Sequence, residues 1–188
     1  MEEIVATGEA ENLNLIFRAL TFAAHKHRDQ RRKDAGASPY INHPIALANV
    51  LVNEGGITDS VTLCAAILHD TIEDTETTPE ELVVAFGPEI TAVVLEVTDD
   101  KSLPKAERKR LQVEHANGKS TRAKLVTLAD KICNLRDIAD CPPADWTLDR
   151  KRAYFEWARQ VVAGVRDASP ALGAVFDAVY TRSAGLSA

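Results

Sequence analysis

The chain has 188 residues, 45% of them hydrophobic and 27% charged, enough for one ordinary globular core. A net charge of −6 argues against nucleic-acid binding, which needs a cationic surface to displace counterions, and no apolar run approaches the roughly 20 residues that span a membrane. Cys64, Cys133 and Cys141 form no CxxC pair and are odd in number, which points to a reducing cytoplasm rather than a disulfide framework.

Helical periodicity begins near the N-terminus, where Leu13, Ile16, Phe17, Leu20 and Ala24 follow the spacing of a core-facing stripe. The stretch from His25 to Lys33 then gathers five of the 22 lysines and arginines. It reads either as a solvated helix end or as a concentrated anion site. His43-Pro44 predicts a helix start with His43 as N-cap, running to Gly55-Gly56. Asp59 can cap the next helix, whose inward positions include Val61, Cys64, Ile67, Leu68 and Thr71. Thr78-Pro79-Glu80-Glu81 is a capping box, and Gly87 closes that short helix. Ile90, Val93, Val94 and Val97 predict another helix, with a strand left open by the β-branched run. Pro104 opens a highly charged helix to about Asn117, and Thr121 precedes one carrying Leu125, Leu128, Ile132 and Leu135. Cys141-Pro142-Pro143 breaks the chain before a long helix to about Val165, and a last helix follows Pro170. With no hairpin signal, repeat or linker, the expectation is one all-α domain over residues 1–188.

Within this frame His43, the pair His69-Asp70, and Asp130 are residue types suited to a divalent metal. Two imidazoles and two carboxylates make a mixed nitrogen and oxygen set that favours manganese, iron or zinc over magnesium or calcium. Each has an alternative taken singly, His43 as a cap and Asp130 as an ion-pair partner. The run from His69 to Asp74 tips the balance. One continuous helix would put Glu73 a turn after His69 and Asp74 a turn after Asp70, crowding three carboxylates against the core beside two histidines. Such a cluster calls for a cation. His25, His27 and His115 lack a second ligand at helical spacing and are expected in solvent, Cys64 in the core, and Trp146 and Trp157 in packing roles.

The His43, His69-Asp70 and Asp130 pattern resembles the metal signature of HD-type phosphohydrolases. The strings Arg31-Arg32-Lys33-Asp34, Pro39 to Pro44, His69 to Asp74, Val97 to Lys101, Ala129 to Arg136 and Tyr154 to Trp157 resemble the hydrolase domain of RelA/SpoT proteins, and most of all the small alarmone hydrolases. The likeness covers about residues 15–165. It implies a single-domain helical HD bundle, with His43, His69, Asp70 and Asp130 holding one Mn²⁺ per chain. It implies that Glu73 and Asp74 position and deprotonate the attacking water. Arg32, Lys33, Tyr40, Lys105, Asn134, Arg150 and Tyr154 would bind the nucleotide. The implied reaction removes the 3′-diphosphate from ppGpp or pppGpp, and the region after the hydrolase match is too short for a synthetase domain. A NADPH 2′-phosphatase or other HD nucleotide phosphohydrolase, and a sensor that binds without turnover, are the competing readings. Intact Glu73 and Asp74 argue against the sensor. Ile132-Cys133 departs from the family pattern and could alter the fit of the base. Oligomeric state is left open.

Overall fold

A computed structural model describes the backbone of residues 2–186 and the side chains of residues 8–186. The architecture is all-α, and the described residues contain no strand beyond an isolated antiparallel bridge between Arg31 and Pro39. In chain order the helices are α1 (Glu2–Lys26), α2 (Asn42–Asn49), α3 (Ser60–Leu68), α4 (Thr71–Asp74) and α5 (Pro79–Phe86). Then come α6 (Pro88–Val97), α7 (Lys105–His115), α8 (Thr121–Asp140), α9 (Leu148–Ala163) and α10 (Pro170–Tyr180). No helix among the described residues is long and apolar enough to cross a membrane.

The termini follow sequence chemistry closely. Asp59, Thr78, Ser120, Thr147 and Ser169 each accept a backbone N–H of the first turn they precede, satisfying donors a helix start leaves orphaned. Gly87, at φ +85°, both ends α5 and opens α6, a conformation that penalises any residue with a Cβ. The stretch from Ile90 to Val97 is helical, which resolves the strand alternative. α2 runs on through a π-helical turn, Val50–Glu54, and stops at Gly55-Gly56.

Three expectations shift. Ile41, not His43, is the N-cap of α2; His43 lies inside the first turn, buried, with Pro44 where the missing N–H has no helical partner to lose. The buried line of α1 is Ala19 and Ala23, flanked by Leu15, Ile16, Leu20 and Phe22, while Leu13 and Phe17 are 56% and 58% exposed. α1 packs on α3, whose buried residues include the small Cys64, Ala65 and Ala66, and alanine is what its own buried line offers in return. Finally, α3 and α4 are separate: the helix breaks at His69-Asp70, so the acidic run is not one continuous helix.

α8 is the hub. It packs against α2, α3, α6, α9 and α10, and it is buried on most sides through Leu125, Val126, Leu128, Ala129, Ile132, Cys133 and Leu135. Ile132 and Cys133 are core residues that do not line the cavity described below.

Gly164, which ends α9, lies close against the turn after α7. A Cβ built there meets Ala116 Cβ at 2.6 Å and the Asn117 backbone nitrogen at 3.0 Å. Gly164→Ala is therefore expected to destabilise the fold by about 1–3 kcal/mol through overpacking. Gly118→Ala, with open space around its Cβ, should leave the Tm nearly unchanged. Thermal melts of the two variants check this.

Candidate active site

Helix α2, the α3–α4 break and α8 converge on one polar chamber. His43 comes from the first turn of α2, His69 from the C-cap of α3, Asp70 from the N-cap of α4, and Asp130 from the middle of α8. The break itself is held by side chains. His69 Nδ1 donates to the Ala66 carbonyl at 2.8 Å, and Thr71 Oγ1 donates to the Leu68 carbonyl at 2.7 Å, satisfying carbonyls that the end of α3 leaves free. Asp70 sits at φ −97°, ψ 0°, turning its carboxylate back toward the histidines.

Ligand atoms of His43, His69 and Asp130 all lie within 4.8 Å of one another. His43 Nε2 is 3.2 Å from Asp130 Oδ1, and His69 Nε2 is 2.8 Å from Asp70 Oδ2. With Nδ1 bonded to Ala66, His69 turns its buried Nε2 into the chamber, against Asp70 Oδ2. This is how a metal-binding imidazole is held by its outer partner. Burial lowers the pKa of His43, although Asp130 opposes that shift. Burial also disfavours the carboxylates, yet His69 holds Asp70, and Lys131 with His43 hold Asp130, well below the usual carboxylate range. The donor set fits a divalent cation.

The carboxylates are fixed from outside. The Tyr40 hydroxyl donates to Asp70. Asn134 Nδ2 donates to Asp130 Oδ1 at 2.6 Å, and the buried Lys131 ammonium donates to Oδ2 at 2.8 Å. Glu73 Oε2 accepts the Asp99 backbone N–H at 3.1 Å, while Asp74 is held by Gln30 at 3.0 Å and by Lys101. Desolvation, together with Asp70, Asp99 and Asp74, pushes Glu73 up to about 7.

The chamber, about 350 Å³, opens into a larger cavity of about 570 Å³. Arg32, Lys33, Tyr40, His43, Asp74, Asn134 and Tyr154 line both, and Lys105 and Trp146 line only the larger one. Arg32 is tied to Asp137 and lies over the Tyr40 ring, with its guanidinium carbon 5.6 Å from the centroid. Arg150 lies 4.4 Å over Trp146 and reaches Asp145 at 3.5 Å. Lys105 is lowered by burial and by Arg150, Lys33 and Arg108 around it, the mark of cations gathered without enough anions. Twelve of the thirteen residues singled out from sequence as catalytic, metal-binding or nucleotide-binding line one or both cavities; Arg150 does not, and meets the larger one only through Trp146.

His27 overturns its expectation. It is 2% exposed, bonded to Gln30 at 2.6 Å and tilted against Tyr40 at 4.8 Å, so it supports the cavity wall from behind. Trp146 packs, yet also faces the cavity. Sequence reasoning missed Lys131, Lys109, Asp99, Lys101 and Gln30. The Val97–Lys101 string carried the signal for two of them, whereas Lys109 sits in a charged helix and is indistinguishable there from a solvent lysine. Its ammonium lies 4.3 Å from the Trp157 centroid and 5.0 Å from that of Tyr154, and burial with Lys105 and Lys131 nearby lowers it to about 8.

The HD-domain pattern matches residues 19–155, spanning every ligand of the chamber. The chain belongs to the HD-domain family, in its MESH1 branch. This HD-domain chain is 54% identical over 166 residues to a guanosine-3′,5′-bis(diphosphate) 3′-pyrophosphohydrolase MESH1 of Xenopus tropicalis, covering 88% of this chain and 93% of the relative. It is 58% identical over 151 residues to the MESH1 protein of Homo sapiens, covering 80% and 84%. Among solved structures, a metazoan ortholog of SpoT, described as hydrolysing ppGpp and acting in starvation responses, superposes with a TM-score of 0.88 at 46% identity, covering 92% of this chain and 97% of that one.

The raised Glu73 has a consequence for the metal-free protein. A carboxyl whose folded pKa is about 7 against an ordinary 4.5 contributes stability that is present below pH 4.5 and lost as pH rises through 7. Glu73→Gln is expected to stabilise the metal-free protein at pH 8 by on the order of 1–3 kcal/mol, read as a higher Tm. Near pH 4 the difference should vanish. Melts at the two pH values give the comparison.

Proposed function

We propose that this chain hydrolyses the 3′-diphosphate of guanosine 3′,5′-bis(diphosphate), and of pppGpp, releasing diphosphate and GDP or GTP. The observation that carries the reading is the junction of a metal-binding chamber with a cation-rimmed, aromatic-walled cavity. Phosphate chemistry and nucleotide binding therefore share one opening. The names of the MESH1 relatives at 54–58% identity point to the same reaction.

His43, His69, Asp70 and Asp130 would hold the cation, and their two imidazoles and two carboxylates favour Mn²⁺. A bound divalent ion would supply Lewis acidity and lower the pKa of water beside it. Glu73, whose proton affinity sits near neutrality, takes the proton from the attacking water, the role best served by a base poised near working pH. Asp74 orients that water and assists proton return to the departing 3′ oxygen. The water oxygen forms a bond to the phosphorus attached at O3′, and the P–O3′ bond breaks. Tyr40, Tyr154 and Asn134 flank the nucleoside, while Arg32, Lys33, Lys105 and Arg150 offset the diphosphate charge. Arginine does this with paired N–H donors and lysine as a point charge.

Diphosphate release from ppGpp should require Mn²⁺ and stop after chelation. His69→Ala or Asp130→Ala should lose metal and activity together. Glu73→Gln or Asp74→Asn should keep the metal and lose about 10²–10⁴-fold in rate. Metal analysis beside kinetics separates the two classes, and a metal-free Glu73→Gln would contradict the division.

Substrate choice has its own test. Neutralising Arg150, or Arg32 and Lys33 together, should raise the KM for ppGpp about tenfold or more, given about 1.5–3 kcal/mol for each charged hydrogen bond. Metal content should be unchanged, and turnover of p-nitrophenyl phosphate nearly so. Equal losses on both substrates would refute alarmone selectivity, and turnover of NADPH in preference to ppGpp would reassign the substrate.

A further inference from the structure

α7 buries no residue fully, yet two of its side chains turn inward one turn apart. Gln112 Nε2 donates to Asp99 Oδ2 at 2.8 Å. Arg108 Nη1 lies 3.4 Å from Glu73 Oε1 and 3.7 Å from Asp99 Oδ2. Asp99 in turn donates its backbone N–H to Glu73 Oε2. Each oxygen of Glu73 thus receives one donor, one from the main chain and one from a guanidinium, and keeps a lone pair for a further proton. Asp99 and Gln112 line both the metal chamber and a separate cavity of about 650 Å³ on its far side, so the same group forms the partition between them.

The charges facing Glu73 explain why such a frame is needed. Asp70 and Asp74 repel it from its own segment, and Asp99 repels it from the loop after α6. Arg108 is the cation placed against it, 23% exposed, with its Nε buried and unpartnered among the described residues. Without that contact Glu73 would turn away from three like charges. We infer that Arg108 and Gln112 are positioning residues for hydrolysis. Arg108 contacts Glu73 directly, and Gln112 acts through Asp99. Together they hold the Glu73 carboxylate aimed at the attacking water. The inference rests on Glu73 serving as the base.

The test is a mutant cycle on ppGpp hydrolysis by the full chain with Mn²⁺. Arg108→Met should lower kcat between about tenfold and a hundredfold with KM and metal content within about twofold, the scale of a misplaced catalytic group. Its acidic limb of kcat should move to higher pH, because the cation favouring the Glu73 carboxylate is gone. Arg108→Lys should recover part of the rate and return the limb. In a Glu73→Gln background Arg108→Met should have no further effect, since the group it serves is absent. Gln112→Leu carries the same cycle should Arg108→Met fail to fold. Losses that multiply in the double variant, or a rate loss with the pH profile unmoved, would overturn the inference and leave Glu73 as the base. Full activity of Glu73→Gln alone would overturn the assignment of the base, and this inference with it.

Discussion

The site depends on one electrostatic constraint: Asp70, Glu73, Asp74, Asp99 and Asp130 share a chamber of about 350 Å³ with two buried histidines. Carboxylates brought this close, and largely out of water, repel one another and lose hydration, so each needs an adjacent positive charge or donor. The fold supplies these from different elements. Lys131 answers Asp130, Lys101 answers Asp74, Arg108 answers Glu73 and Tyr40 donates to Asp70. The ligand atoms of His43, His69 and Asp130, all within 4.8 Å of one another, leave a place that a divalent cation fits. The break between α3 and α4 is the backbone's share of the solution, since a straight helix would point His69 and Asp74, five residues apart, about 140° away from each other around its axis.

α8 couples this polar center to the apolar core. Its residues alternate between duties within a single turn: Asp130 faces the chamber, Lys131 is buried against Trp157, Ile132 and Cys133 join the core, and Asn134 reaches back to Asp130. A ligand on a buried, well-packed helix has few rotamers to explore. Geometry at Asp130 is therefore set by the same contacts that stabilise the fold.

The sequence disclosed what depends on local rules. Caps at Asp59 and Thr78, the stops at Gly87 and Gly55-Gly56, and the ends of α7 and α8 follow from short-range hydrogen bonding and backbone freedom. The ligand types were legible because histidines and carboxylates crowded into apolar segments are costly to bury without a cation between them. What depended on distant packing was not. The buried face of α1 is decided by how closely α3 approaches, so small Ala19 and Ala23 outrank Leu13 and Phe17. His27 is buried because Tyr40 folds over it. Lys109 and Arg108 look like surface charges in a helix of charges, and only the position of α9 and α4 makes them interior.

The donors of the chamber are scattered along the chain: His43 follows the first long loop, His69 and Asp70 stand between the third and fourth helices, and Asp130 waits on the eighth. No fragment holding only two of these elements contains the site. Cation binding is therefore linked to the completed native state rather than to one loop, and it stabilises that state by RT ln(1 + [M]/Kd). Removing such a cation would act much as a mild denaturant does, lowering the stability of the whole molecule rather than of one loop.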